Sequence, residues 1–166
     1  MKLTMRIAVA AMVMSLAGGV RAETVEEWIA LGARVHGAFG AFLPVGIRIG
    51  LDAIDRLKAE RRDLTITYWN GDRAPCPCIV DGVMLAAGAS PGQGTVIIAP
   101  GHAASGALAS VVITQRRTGA SLRYTIDDAW LPKILAWNKE VPSVRFDNAM
   151  KAEGLFTVES AMDVSK

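Results

Sequence analysis

The apolar pattern of this chain changes period between Leu57 and Leu64, and no single element can carry both periods. Ile47, Leu51, Ile54 and Leu57 recur at the spacing of one helical stripe. Leu64, Ile66 and Tyr68 then alternate with Thr65, Thr67 and Trp69, which makes a strand with two distinct faces. A helix whose stripe lies against one side of a sheet is the packing that such a switch asks for.

The flanking segments extend this pattern. Thr24-Val25-Glu26-Glu27 is a capping box, in which the Thr hydroxyl and the Glu carboxylate satisfy early amide donors. A helix is expected to follow to about Val35, with Trp28, Ile29, Leu31 and Val35 on its apolar side. The second helical region, residues 40–61, is almost wholly apolar in its front half, so that half should be buried on every side, with Asp52 and Arg56 pairing across a turn. Beyond the strand, Asn70-Gly71-Asp72 turns the chain, and a short helix is expected over residues 79–87, ended by Gly88. Residues 95–99 read as a buried strand, and residues 111–114 and 122–126 as a hairpin around Arg117-Thr118-Gly119. Asp127 or Asp128 then caps a helix carrying Trp130, Ile134, Leu135 and Trp137, a further helix covers residues 143–153, and residues 155–158 offer an edge strand. Helices and strands mix without a βαβ rhythm, so the fold class is α+β, in a single domain.

The first 22 residues read separately. Lys2 and Arg6 precede an apolar run over residues 7–16, and Val20-Arg21-Ala22 supplies a cleavage site, the layout of a secretory signal peptide. A membrane anchor would need about 20 apolar residues, whereas the run breaks at Gly18-Gly19 and Arg21. The expectation is therefore a leader over residues 1–22, a domain over 23–166, and a periplasmic or secreted product with no membrane attachment after cleavage. Removing Lys2, Arg6 and Arg21 from 18 basic residues leaves 15 against 16 acidic ones, so the mature net charge is −1 rather than +2. The one dense basic run, residues 56–62, is interrupted by Glu60 and reads as a solvated helix face. Nucleic acid is excluded as a partner on that ground.

The chain's two cysteines stand together in Pro75-Cys76-Pro77-Cys78. The prolines stiffen the segment and hold Cys76 away from helix geometry. Cys78 stands at the entrance of the following helix, where exposed N–H groups and the positive dipole end favour a thiolate. Asp81, three residues on, shares its helical face and is placed to join it at a metal or to hold a proton. Three plainer readings stand beside this one. The thiols can close on each other, although one intervening residue strains the preferred disulfide geometry. Each can equally be a small buried hydrophobe, and Asp81 can serve simply to cap a helix end. The remaining soft donors are histidines. His36 lies at the junction of the first two helices beside glycines that permit close approach, and His102 reads as a loop residue.

Gly88-Ala89-Ser90-Pro91-Gly92 matches the nucleophile elbow of hydrolases in letters only. The elbow needs an N–H on the residue after the serine, and Pro91 has none. Gly92-Gln93-Gly94 makes no phosphate cradle, since neither a Lys-Ser/Thr pair nor a helix follows, so no nucleotide cofactor is expected. The glycine-rich loop is expected instead beside the cysteines.

With these pieces in order, the chain resembles the FmdE family, which takes its name from formylmethanofuran dehydrogenase. The first family signature, His-Gly-His-x-Cys-Pro-Gly, reads here His36-Gly37-Ala38-Phe39-Gly40-Ala41-Phe42, followed by an apolar, glycine-containing helix. The second, Cys-x-Val-Asp-x-x-x-x-x-x-Gly-Cys-Thr-x-Gly-Lys-Gly, reads Cys78-Ile79-Val80-Asp81, then Gly88-Ala89-Ser90-Pro91-Gly92-Gln93-Gly94. Only His36, Cys78 and Asp81 carry over; Ala38, Gly40 and Ala89 replace the second histidine and two cysteines, and Cys76 lies outside the pattern. The resemblance implies a helix, strand, helix, three-strand α+β domain of a kind that is often dimeric.

Three functions follow as expectations. In the first, His36, Cys76 and Cys78 ligate zinc or another transition metal, with Asp81 as a direct or outer partner and Ser90 in the loop wall contacting a bound small ligand; thiolate plus imidazole suits such an ion. In the second, Cys78 is a catalytic nucleophile or redox thiol, with His36 as base and Cys76 as the resolving thiol. In the third, Tyr68 and Trp69 line a pocket for an organic molecule and the cysteines are incidental.

Overall fold

A computed structural model of the chain describes residues 22–161. The expected leader therefore lies, apart from Ala22, outside the described residues. The elements run α1 (Val25–His36), α2 (Phe42–Leu57), β1 (Leu64–Asn70), α3 (Cys78–Ala87), β2 (Val96–Ile98), β3 (Ala107–Gln115), β4 (Ser121–Asp127), α4 (Leu131–Trp137), α5 (Pro142–Lys151) and β5 (Thr157–Ala161), with single 3₁₀ turns at Pro91–Gln93 and Asp128–Trp130. The five strands form one sheet in the order β2-β1-β3-β4-β5. The β1–β2 pair is parallel and the others are antiparallel. This is the mixed-sheet α+β domain that the period switch asks for.

The capping box at the start of α1 is formed in both directions. Glu27 N donates to Thr24 Oγ1 at 3.2 Å, and Thr24 N donates to Glu27 Oε2 at 2.7 Å. Asp127, rather than Asp128, caps the turn before α4 by accepting from Ala129 N. Three cations of the basic run pair with carboxylates: Arg56 with Asp52, Lys58 with Asp55 and Arg61 with Glu23.

The helices pack on the face of the sheet that carries Leu64, Ile66, Tyr68, Val111, Ile113, Tyr124 and Ile126, all of them buried. The front half of α2 is enclosed from Phe42 to Ile47. Its deepest stripe beyond that half is Ile49 and Ala53, while Leu51, Ile54 and Leu57 are only partly covered. The buried stripe is thus displaced by about half a turn from the expected one, because α2 packs against α3, α5 and the sheet, with Leu43 and Ile47 also clustered with Trp28 of α1, and has no single buried side. Val35, expected on the apolar side of α1, is 46% exposed; Trp28 and Gly32 carry that contact instead.

Residues 95–99 also depart from expectation. β2 pairs only with β1, so it is an edge strand, and Ile97 and Ile98 are more than half exposed. A short apolar run does not distinguish an edge from a centre, because burial depends on what lies on the second side.

The two tyrosines behave alike despite opposite surroundings in sequence. Tyr68 donates to Asn70 Oδ1 at 2.9 Å and Tyr124 to Asp52 Oδ2 at 2.8 Å, and both rings are fully buried. Burial raises both phenol pKa values above the ordinary range, and the Asp52 hydrogen bond adds to the effect at Tyr124.

Candidate functional site

Two helices deliver the site. α1 ends at His36, and Gly37, at φ 92°, turns the chain back; a β-carbon would be strained there. α3 begins at Cys78 with Asp81 in its first turn. The two helices meet so that His36 Nδ1 lies 2.7 Å from Asp81 Oδ2, across 45 residues of sequence. Both side chains remain partly open to solvent, at 26% and 32%. An ionised carboxylate only accepts, so in the pair Nδ1 carries the proton, and in the neutral ring Nε2 keeps its lone pair. That is the tautomer in which an imidazole ligates a metal or accepts a proton, held in place by an outer carboxylate.

α3 is seated by glycines. At Gly46 on α2 a β-carbon would come within 2.8 Å of Val83 N, and at Gly82 on α3 within 2.7 Å of Ile47 N. The backbones of α2 and α3 therefore touch, which fixes where Asp81 and Cys78 emerge. α3 has no side-chain cap, so Asp81 does not cap this helix end; its carboxylate goes to His36.

Cys76 and Cys78 are joined as a disulfide with Cα atoms 5.3 Å apart, inside the roughly 4.4–6.8 Å span usual for such bridges. In this form neither sulfur is a thiolate. Cys78 packs against both apolar clusters of the domain, one under the sheet and one around Trp28 and Phe39. Among the described residues, no group of three or more His, Cys, Asp or Glu side chains is placed to hold a metal ion.

Ser90 lies elsewhere. The ten residues of α3 span about 15 Å at 1.5 Å per residue, and the loop holding Ser90 leaves its far end, at Gly88, whereas Cys78 and Asp81 belong to its first turn. Ser90 Oγ accepts from Gln93 N at 3.3 Å, and Ser90 N donates to Thr95 Oγ1 at 3.0 Å, so the residue is used in closing its own turn. His102 forms a second, exposed pair, Nδ1 to Asp72 Oδ1 at 2.9 Å. Tyr68 and Trp69 point to opposite faces of β1: Tyr68 into the core, Trp69 outward. Two relationships lay beyond the reach of sequence reasoning: the glycine contact that seats α3, and Arg123 beside Trp69. The only sequence signal for the first is glycine at intervals on two apolar helices.

No helix of the described residues is long and apolar enough to cross a membrane. No curated protein matches the chain. A family model does match, over residues 35–159, which takes in His36, both cysteines, Asp81, strands β1 to β4 and the start of β5. With most of the domain inside that match, the chain belongs to the FmdE family, described as FmdE, molybdenum formylmethanofuran dehydrogenase operon.

Proposed function

We propose that this is an exported FmdE-family protein that takes up a transition metal, zinc or a similar borderline ion, at His36, Cys76 and Cys78, once their disulfide has been reduced. One observation carries the reading: the His36–Asp81 pair, which leaves an imidazole lone pair beside the helix turn that starts with Cys78. In the disulfide form the donor on offer is Nε2 of His36, with Asp81 engaged at Nδ1, too few for a metal site. Exchange with an external dithiol breaks the Cys76–Cys78 bond, gives both sulfurs a proton and an electron each, and leaves the dithiol as a disulfide. Two thiolates and the imidazole then make a set of three, which leaves a fourth position for water or a small ligand, and ligation releases the thiol protons. When bound, the ion supplies Lewis acidity; His36 holds it, and Asp81 orients the ring through Nδ1. A homodimer and a location in the periplasm or outside the cell belong to the same reading.

The test is metal content after preparation with and without a thiol reductant. The expected result is about one zinc per chain only in the reduced protein, lost in Cys78→Ser and in His36→Gln. Reduced wild type that binds no metal and melts identically with and without chelator overturns the reading.

A second reading is favoured by the disulfide itself: Cys78 as a redox thiol at the first residue of α3, with Cys76 as its resolving partner. It predicts catalysed exchange with a dithiol substrate that disappears in Cys78→Ser and does not depend on metal.

A further inference from the structure

The helices leave one side of the sheet open. Register places Thr65, Thr67 and Trp69 of β1 beside Thr114, Val112 and Ser110 of β3, and these beside Ser121, Arg123 and Thr125 of β4, on the face opposite the core. Two hollows lie along it, of about 590 Å³ and 320 Å³, lined by strand and loop residues alone, and Trp69 borders both. Volumes of this order suit a small molecule.

Arg123 is the cation in the middle of this face. Its guanidinium lies 5.6 Å from the centre of the Trp69 ring, and Nη1 donates to Ser110 Oγ at 3.2 Å. A guanidinium has five N–H donors in a fork that matches a carboxylate. Among the described residues no carboxylate stands within ion-pair distance of it, although Glu159 is its cross-strand neighbour. The hydroxyls of Thr67, two residues before Trp69 on β1, and of Thr125, across Ser110 from Trp69 on β4, also make no hydrogen bond within the described residues. The floor is Val112, 4% exposed.

We propose that this face binds a small aromatic carboxylate, with the carboxylate on the Arg123 fork and the ring beside Trp69 over Val112. The charge of Arg123, the flat indole and the free hydroxyls are complementary to that chemistry. A second copy of the chain fits the face less well. Among the described residues Ile97 is the one large exposed apolar side chain on it, whereas interface cores between identical subunits are predominantly apolar. The site is independent of the cysteine segment, which sits against the helices.

The probe is 2-naphthoate, with the neutral 2-naphthamide and inorganic phosphate as controls, followed by calorimetry on the full chain. Naphthoate is expected to bind at least about tenfold more tightly than the amide, and phosphate not to compete, because the head and the ring both contribute. Arg123→Gln should weaken naphthoate by about tenfold or more, and Arg123→Lys should restore only part of it, since a point charge lacks the fork. Trp69→Leu should weaken both naphthyl probes. Cys76→Ser/Cys78→Ser should leave naphthoate binding unchanged, which separates this site from the proposed metal centre. Equal binding of acid and amide, an Arg123→Gln variant that melts and binds like wild type, or a dimer whose dissociation by Arg123→Gln abolishes binding would each overturn the proposal.

Discussion

Gly46 and Gly82 stand face to face where α2 crosses α3, each α-carbon 2.9 Å from where the other's β-carbon would be. The contact is reciprocal, so neither residue can gain a side chain without separating the helices. Because the first turn of α3 carries Asp81, this contact also sets the distance to His36.

Gly46→Ala and Gly82→Ala should each destabilise the domain by about 1–3 kcal/mol or more, the cost of overpacking a close-fitted interior. Gly92→Ala, whose nearest neighbour would be Ser90 Oγ at 4.0 Å, should stay within about 0.5 kcal/mol of wild type. Urea unfolding of the three variants checks this; equal effects at Gly46 and Gly92 would show that the helices part easily.

The His36–Asp81 pair is partly open to solvent, so its contribution to stability is small, about 1 kcal/mol or less. Its larger effect is on the tautomer. In ring-nitrogen NMR, wild type should show neutral His36 protonated at Nδ1, and Asp81→Asn should shift the mixture towards Nε2 protonation while melting close to wild type. An unchanged tautomer in Asp81→Asn would mean that the carboxylate does not orient the ring.

Reducing the Cys76–Cys78 bond should leave the domain folded. The bridge closes a loop with a single intervening residue, and constraining so short a loop is worth about 1–2 kcal/mol in the chain-entropy account. Melting with and without a reductant should therefore shift by a few degrees. Cooperative unfolding on reduction would assign the bridge a structural role.

The alkaline limb of stability belongs to Tyr68 and Tyr124, the chain's two tyrosines. Burial raises both above their value in the unfolded chain, so the stability they contribute is complete below about pH 10 and is lost as pH rises towards the folded-state values. Tyrosinate absorbance should stay absent in the native protein above that pH and appear together with unfolding. Replacing Asp52 by Asn should move only the Tyr124 part. Tyrosinate appearing gradually at ordinary pH in the folded chain would contradict the buried placement.

Much of this architecture was legible before any coordinates. The Thr24 box, the glycine after α3 and the alternation of β1 and β4 each state a local rule, and local rules act within a turn or a few residues. The errors sit where a second surface decides. Val35 satisfies the helical period of α1 yet faces solvent, since Trp28 and Gly32 already fill the contact. Ile97 and Ile98 have the composition of a core strand yet no neighbour on one side. Ser90 lies near Cys78 and Asp81 in sequence, but the intervening helix carries it to the opposite end.

By itself the amino-acid sequence determined the fold class, the candidate chemistry of His36, Cys78 and Asp81, and the two-faced character of β1, because periodicity and capping are short-range. Tertiary structure alone decided that His36 meets Asp81, that the two sulfurs are joined, and that Trp69 shares an open face with Arg123. The disulfide is local; the first and third relations arise from the glycine contact between α2 and α3 and from the register of the strands. Both bring together residues that no local rule connects.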